Sequence, residues 1–102
     1  MAHCPPELLD DLADVLGEIR TWDGVVERSP GVFYVRRTPF LHFHALRDGR
    51  VADARDGRDW GERIPLPHPA SAARRRVFAR EIRGRYERTR DAWRAPRRTP
   101  GR

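Results

Sequence analysis

From Glu7 to Trp22 the apolar positions Leu8, Leu9, Leu12, Val15, Leu16, Ile19 and Trp22 recur at steps of three and four, which lines them along one stripe of a helix. The positions between them are acidic: Glu7, Asp10, Asp11, Asp14 and Glu18. The first of these stand favourably near the positive end of the helix dipole, and Pro5-Pro6 suits a first turn, where a missing N–H costs nothing. After Trp22-Asp23-Gly24 the period falls to two and β-branched and aromatic residues take over, so Val25 to Arg28 and Val32 to Arg37 read as strands joined at Ser29-Pro30-Gly31. Phe40 to Arg47 and Arg50 to Arg55 form a second pair around Asp48-Gly49, residue types that tolerate the positive φ of a tight hairpin turn. Arg-Asp-Gly-Arg recurs at 47–50 and 55–58, one turn at each end of a short strand. A last short strand is predicted over Glu62 to Leu66, with Pro65 arguing for a sheet edge. Pro65, Pro67 and Pro69 then make a stiff connector, and Ser71 caps a second helix reaching about Trp93, with Phe78, Ile82, Tyr86, Thr89 and Trp93 on one stripe.

This order predicts an α+β fold in one two-layer domain over residues 1–95: an N-terminal helix, an antiparallel meander sheet of four to five strands and a C-terminal helix, both helices on one side. Residues 96–102 read as a disordered basic tail. Leu12, Leu16, Ile19, Phe43, Phe78 and Ile82 are the predicted core. A chain of 102 residues suits one modest core and leaves no room for separate cofactor and substrate domains.

Charge adds a second layer to the picture. All 21 basic residues are arginine, a bias that a GC-rich coding sequence also produces. Residues 1–35 hold two Arg against seven acids, residues 36–70 seven against five, and residues 71–102 twelve against three. The basic end, with Arg74, Arg76, Arg80, Arg83 and Arg90 on its helix, is the expected contact for an anionic partner, either a protein or nonspecifically bound nucleic acid. It also complements the acidic first helix, within one chain or across a homodimer. Cys4 is the only cysteine, so no disulfide or cysteine-rich zinc cluster forms within the chain. With no membrane-length apolar window, the sequence reads as a soluble, cytoplasmic protein.

One stretch carries candidate chemistry. His42 and His44 are two residues apart on a strand, so both point to one face, with Cα atoms roughly 6–7 Å apart. A two-residue loop at Asp48-Gly49 would pair Arg47 with Arg50, His44 with Asp53 and His42 with Arg55. That register puts Leu41, Phe43, Ala45, Ala52 and Ala54 on a core face. Phe40, His42, His44, Leu46, Val51 and Asp53 fall on the other face, which also gains Phe33 and Val35 if Thr38-Pro39 turns tightly. Such a mixture of apolar groups, imidazoles and a carboxylate fits a ligand pocket, a dimer contact or a covered second face. His42 and His44, with Asp53 as third ligand or hydrogen-bond partner, would hold a divalent metal in an imidazole and carboxylate site. The plainer alternative is histidines satisfied by Asp53, Tyr34 or backbone groups. Seven residues, His42 to Asp48, resemble the His-X-His-X(3,4)-acid element of cupins, which are all-β barrels; two helices and the turn position of Asp48 set this chain apart. In layout alone, the helix–sheet–helix order with an acidic first and a basic last helix is similar to small bacterial frataxin-like domains.

Phosphate-loop, nucleophile-elbow and dinucleotide motifs are absent from the sequence. Two functions are therefore expected: a small binding or interaction module using the sheet face or the arginine helix, or a small metal-dependent enzyme or metal-binding protein centred on His42, His44 and Asp53.

Overall fold

The first helix opens tightly wound. In the computed structural model, which describes residues 4–94, Pro6–Leu12 is a 3-10 segment that passes directly into helix α1, Ala13–Ile19. The sequence periodicity predicts one α-helix throughout, and the departure has a visible cause. In 3-10 winding residues three apart eclipse one another, so Leu9 and Leu12 stack on one inward edge, both buried, and the buried Val15 continues it in α1. The Leu8 carbonyl and the Asp11 carboxylate of this segment both accept from a partner outside the helix, Arg50.

Strands β1 (Val25–Ser29), β2 (Val32–Val35), β3 (Thr38–Leu46) and β4 (Gly49–Asp56) follow as an antiparallel meander. Two two-residue strands, β5 (Asp59–Trp60) and β6 (Ile64–Pro65), divide the far side of β4 between them. The sheet thus has six strands rather than four or five, since the second Arg-Asp-Gly-Arg turn, with Gly57 at φ 79°, folds Trp60 back onto Arg55. Helix α2, Ala72–Arg94, begins where the Ser71 hydroxyl accepts the Arg74 N–H at 3.1 Å.

One cluster of buried side chains joins both helices to one face of the sheet, and all six predicted core residues belong to it. Phe43 of β3 packs on Phe78 of α2 with ring centres 5.9 Å apart. Gly31, at φ 76°, lets the first hairpin lie against this core, because a Cβ there would come within 2.6 Å of Leu9.

Three aromatic and aliphatic positions differ from the predicted faces. Phe33 pairs with Leu41 but Tyr34 pairs with Pro39, so Phe40 is an extra residue in β3. This bulge lets Phe40 and Leu41 both turn inward, each fully buried, with Phe40 edge-on to Tyr86. The β2–β3 turn is Arg36-Arg37, with Arg36 at φ 59°, and not Thr38-Pro39; that displacement keeps parity, and it is the Phe40 bulge that sets Phe33 opposite Leu41 and brings Phe33 and Val35 into the core. The predicted tail lies outside the described residues. No helix among those described is long and apolar enough to cross a membrane.

Candidate metal centre on the open sheet face

The β3–β4 register decides what meets what. Leu46 pairs with Gly49, His44 with Val51, Phe43 with Ala52, His42 with Asp53 and Leu41 with Ala54. The loop residues are therefore Arg47-Asp48, not Asp48-Gly49. An Asp-Gly loop of the primed type needs positive φ at both positions, yet among the described residues Arg36 is the one non-glycine with positive φ. Only Gly49 takes such a value here, φ 150°, as the first residue of β4. The displacement is two residues, and because side chains alternate with period two, every predicted face between His42 and Ala54 is preserved.

His42, His44 and Asp53 thus converge on the face opposite Phe43. Their nitrogen and oxygen donor atoms all lie within 4.8 Å of one another, and all three residues are half-buried. His44 Nε2 stands 3.0 Å from Asp53 Oδ2. The imidazole of His42 meets that of His44 edge-on at 4.6 Å and Trp60 edge-on at 5.1 Å. Arg55, on the same face of β4, lies 4.6 Å over the Trp60 ring. Between β5 and β6, Arg63 donates from Nε and Nη2 to the two Asp53 oxygens, each at 2.9 Å. Those bonds hold the Asp53 carboxyl below the usual carboxylate range; burial opposes them, while the charges of Arg63, His44 and His42 add to them. The carboxylate is consequently ionised at neutral pH.

Two imidazoles and one carboxylate make a donor set for a borderline divalent ion such as zinc. A carboxylate offers about four lone-pair sites, so the Arg63 fork leaves Asp53 able to serve a cation as well. Among the described residues no helix lies over this face: the helices contribute to the cluster on the Phe43 side. Val26, Leu46 and Trp60 are exposed.

The five arginines predicted to meet anions separate into two groups. Arg74, Arg76 and Arg80 are exposed and form no ion pair among the described residues. Arg83 is engaged, with Nε 2.9 Å from Glu87 and its guanidinium beside Trp22 and Tyr86. Arg90 lies 5.3 Å over Tyr86.

Two buried arginines escaped the sequence reading. Arg50 shares the inward side of β4 with Ala52 and Ala54, and all five of its N–H donors are used. Nε donates to Leu66 O at 3.1 Å; Nη1 donates to Leu8 O and to Asp11 Oδ1; Nη2 donates to Asp11 Oδ2 and to Pro67 O. Asp11, which the helical pattern assigns to a solvated acidic face, also accepts the Ala70 N–H at 2.8 Å. Arg85 similarly reaches from α2 to Ala54 O and Glu62 O, under Gly61, where a Cβ would come within 2.5 Å of its Nη1. Strand parity signals Arg50, which follows the Ala52-Ala54 alternation; nothing in the local pattern signals Arg63 or Arg85.

An apolar hollow of about 270 Å³ lies between Cys4, Leu9, Gly31 and Phe43. Burial raises the Cys4 pKa, which disfavours the thiolate, and among the described residues no imidazole or carboxylate lines the hollow. The chemistry therefore concentrates on the other side of the sheet. No protein-family model, no curated protein and no solved structure matches this chain.

Proposed function

We propose that the protein is a small binding module whose open sheet face holds a divalent metal ion through His42, His44 and Asp53. The observation that carries this reading is the meeting of three donor groups from two adjacent strands within 4.8 Å, on a face that no described helix covers. Histidines retained only to fill a core would be expected on the Phe43 side. Here they lie on the side where packing requires least of them, beside a carboxylate kept charged by Arg63. Coordination positions not filled by protein would face outward, as in sites that exchange ligands. A cytoplasmic setting belongs to the same proposal, supported by the single cysteine and the charged surface.

The test is elemental analysis of protein purified without a histidine tag, followed by zinc titration of the metal-stripped protein. One ion per chain, lost in the His42→Ala/His44→Ala variant with the fold intact by circular dichroism, is the expected result. Equal, substoichiometric metal in both proteins would refute it.

A further inference from the structure

Helix α2 carries a second surface whose charge is arranged against its own stability. Most of its arginines are answered. Arg75 reaches Asp14, Arg83 Glu87, Arg85 Glu81 and Arg88 Asp56, while Arg90 rests on Tyr86. Arg74, Arg76 and Arg80 have no such partner among the described residues and are exposed, with Val77 exposed between them. Arg74 and Arg76 lie near the start of the helix, where positive charge opposes the dipole. Arg76 and Arg80 stand four apart, the spacing at which like charges repel along a helix. The helix's own acids, Glu81, Glu87 and Asp91, all fall later in the sequence, and the ion pair at this end, Arg75 with Asp14, leaves Arg74, Arg76 and Arg80 outside it. A local rule broken without a compensating contact marks a surface kept for something else.

We propose that Arg74, Arg76 and Arg80 form a docking patch for the phosphate backbone of nucleic acid, independent of base sequence. From Arg74 to Arg80 the helix rises about 9 Å, and at about 100° per residue Arg76 and Arg80 stand side by side while Arg74 lies further round, beyond Val77, so the first two can meet neighbouring phosphates of one strand and Arg74 a phosphate beside them. Guanidinium forks match phosphate oxygens in pairs, and each phosphate neutralised releases counterions. A polyanion would also relieve both the repulsion between the arginines and their conflict with the dipole. Sequence-independent contact fits the composition, because the chain contains no Asn or Gln, the side chains that read adenine through paired hydrogen bonds. This inference stands apart from the metal centre, which lies on the opposite layer of the fold.

The experiment is fluorescence anisotropy with a labelled, mixed-sequence DNA duplex across a salt series. Wild-type affinity falls linearly on a log–log plot, and R74Q/R76Q/R80Q flattens that slope by about 2.7, or about 0.9 for each phosphate contact removed. R36Q/R37Q/R47Q removes the same charge from exposed hairpin arginines and leaves the slope near wild type. The Lys triple variant, R74K/R76K/R80K, keeps the wild-type slope and covers the case in which the Gln variant misfolds. Equal flattening by both Gln variants would reduce the effect to net charge and overturn the proposal. So would a slope lost in the Lys variant, or binding to phosphatidylserine vesicles with none to DNA at low salt.

Discussion

Two arginine forks hold carboxylates on opposite sides of the same strand, and they do different work. Arg50 grips Asp11 on the inner side of β4 with side-chain exposures of 1% and 12%, and each of its donors is consumed. It ties the 3-10 segment, β4 and the proline connector together through Leu8, Leu66 and Pro67. Arg63 grips Asp53 on the outer side while itself 53% exposed, and two imidazoles stand beside the same carboxylate. The first pair is a closed account of hydrogen bonds; the second is open toward solvent and toward a cation. Burial and donor counting, not the identity of the pair, separate a structural clamp from a site.

The largest effects should fall on the inner side. Phe43→Ala should lower stability by about 3–5 kcal/mol, as for a fully packed aromatic, whereas the neighbouring His44→Ala should leave the melting temperature close to wild type. Denaturant melts of the two variants, adjacent in sequence and opposite in face, compare the layers directly. Near-equal losses would dissolve the distinction.

Arg50→Met should cost about 3–5 kcal/mol by leaving Asp11 without its partner in a mostly buried setting. Arg63→Met should move the melting temperature far less, because its own side chain is half exposed and the half-buried Asp53 keeps His44 beside it.

Acid should open the inner clamp. The hydrogen bonds from Arg50 lower the Asp11 pKa from an ordinary 3.8 to about 2, with burial opposing and the Ala70 N–H assisting. Between those values the unfolded chain binds a proton that the folded chain does not. Stability is therefore fully present above about pH 4 and is lost as pH falls toward 2, by about 2 kcal/mol from this group. Chemical denaturation of wild type and Asp11→Asn at pH 5 and pH 2.5 should show the loss in wild type and a smaller one in the variant.

Removing Arg63 should have the opposite sign to removing Arg50. It takes a competing cation from Asp53, so Arg63→Ala should tighten zinc binding by on the order of tenfold, the size of effect one adjacent charge has on a carboxylate's proton affinity. Calorimetric titration measures it; weaker binding would mean that Arg63 orders the site rather than competes for it.

Much of this contrast is legible in the chain before any coordinates. Strand alternation places His42, His44 and Asp53 on one side and Phe43 on the other, and it survives a two-residue error in register because the period is two. Helical stripes identify the buried apolar residues of both helices for the same reason, since a periodic signal averages over local mistakes, but they pass over Arg85. What alternation cannot carry is an added residue: the bulge at Phe40 resets parity and sends Phe33, Val35 and Phe40 to the core. Nor can it show partners distant in sequence. Asp11 looks solvated until Arg50, far along the chain, comes under it, and Arg63 reaches Asp53 only because two short strands fold back along β4.

If His42 and His44 are metal ligands, histidine side-chain NMR of the tag-free protein during zinc addition will register it at the two rings themselves. His68, in the proline connector beside Asp11, serves as an internal reference within the same sample. The His42 and His44 ring nitrogens should shift together and saturate at one zinc per chain while His68 stays in place. Resonances of His42 and His44 that do not move, or that move no more than His68, would contradict their assignment as ligands.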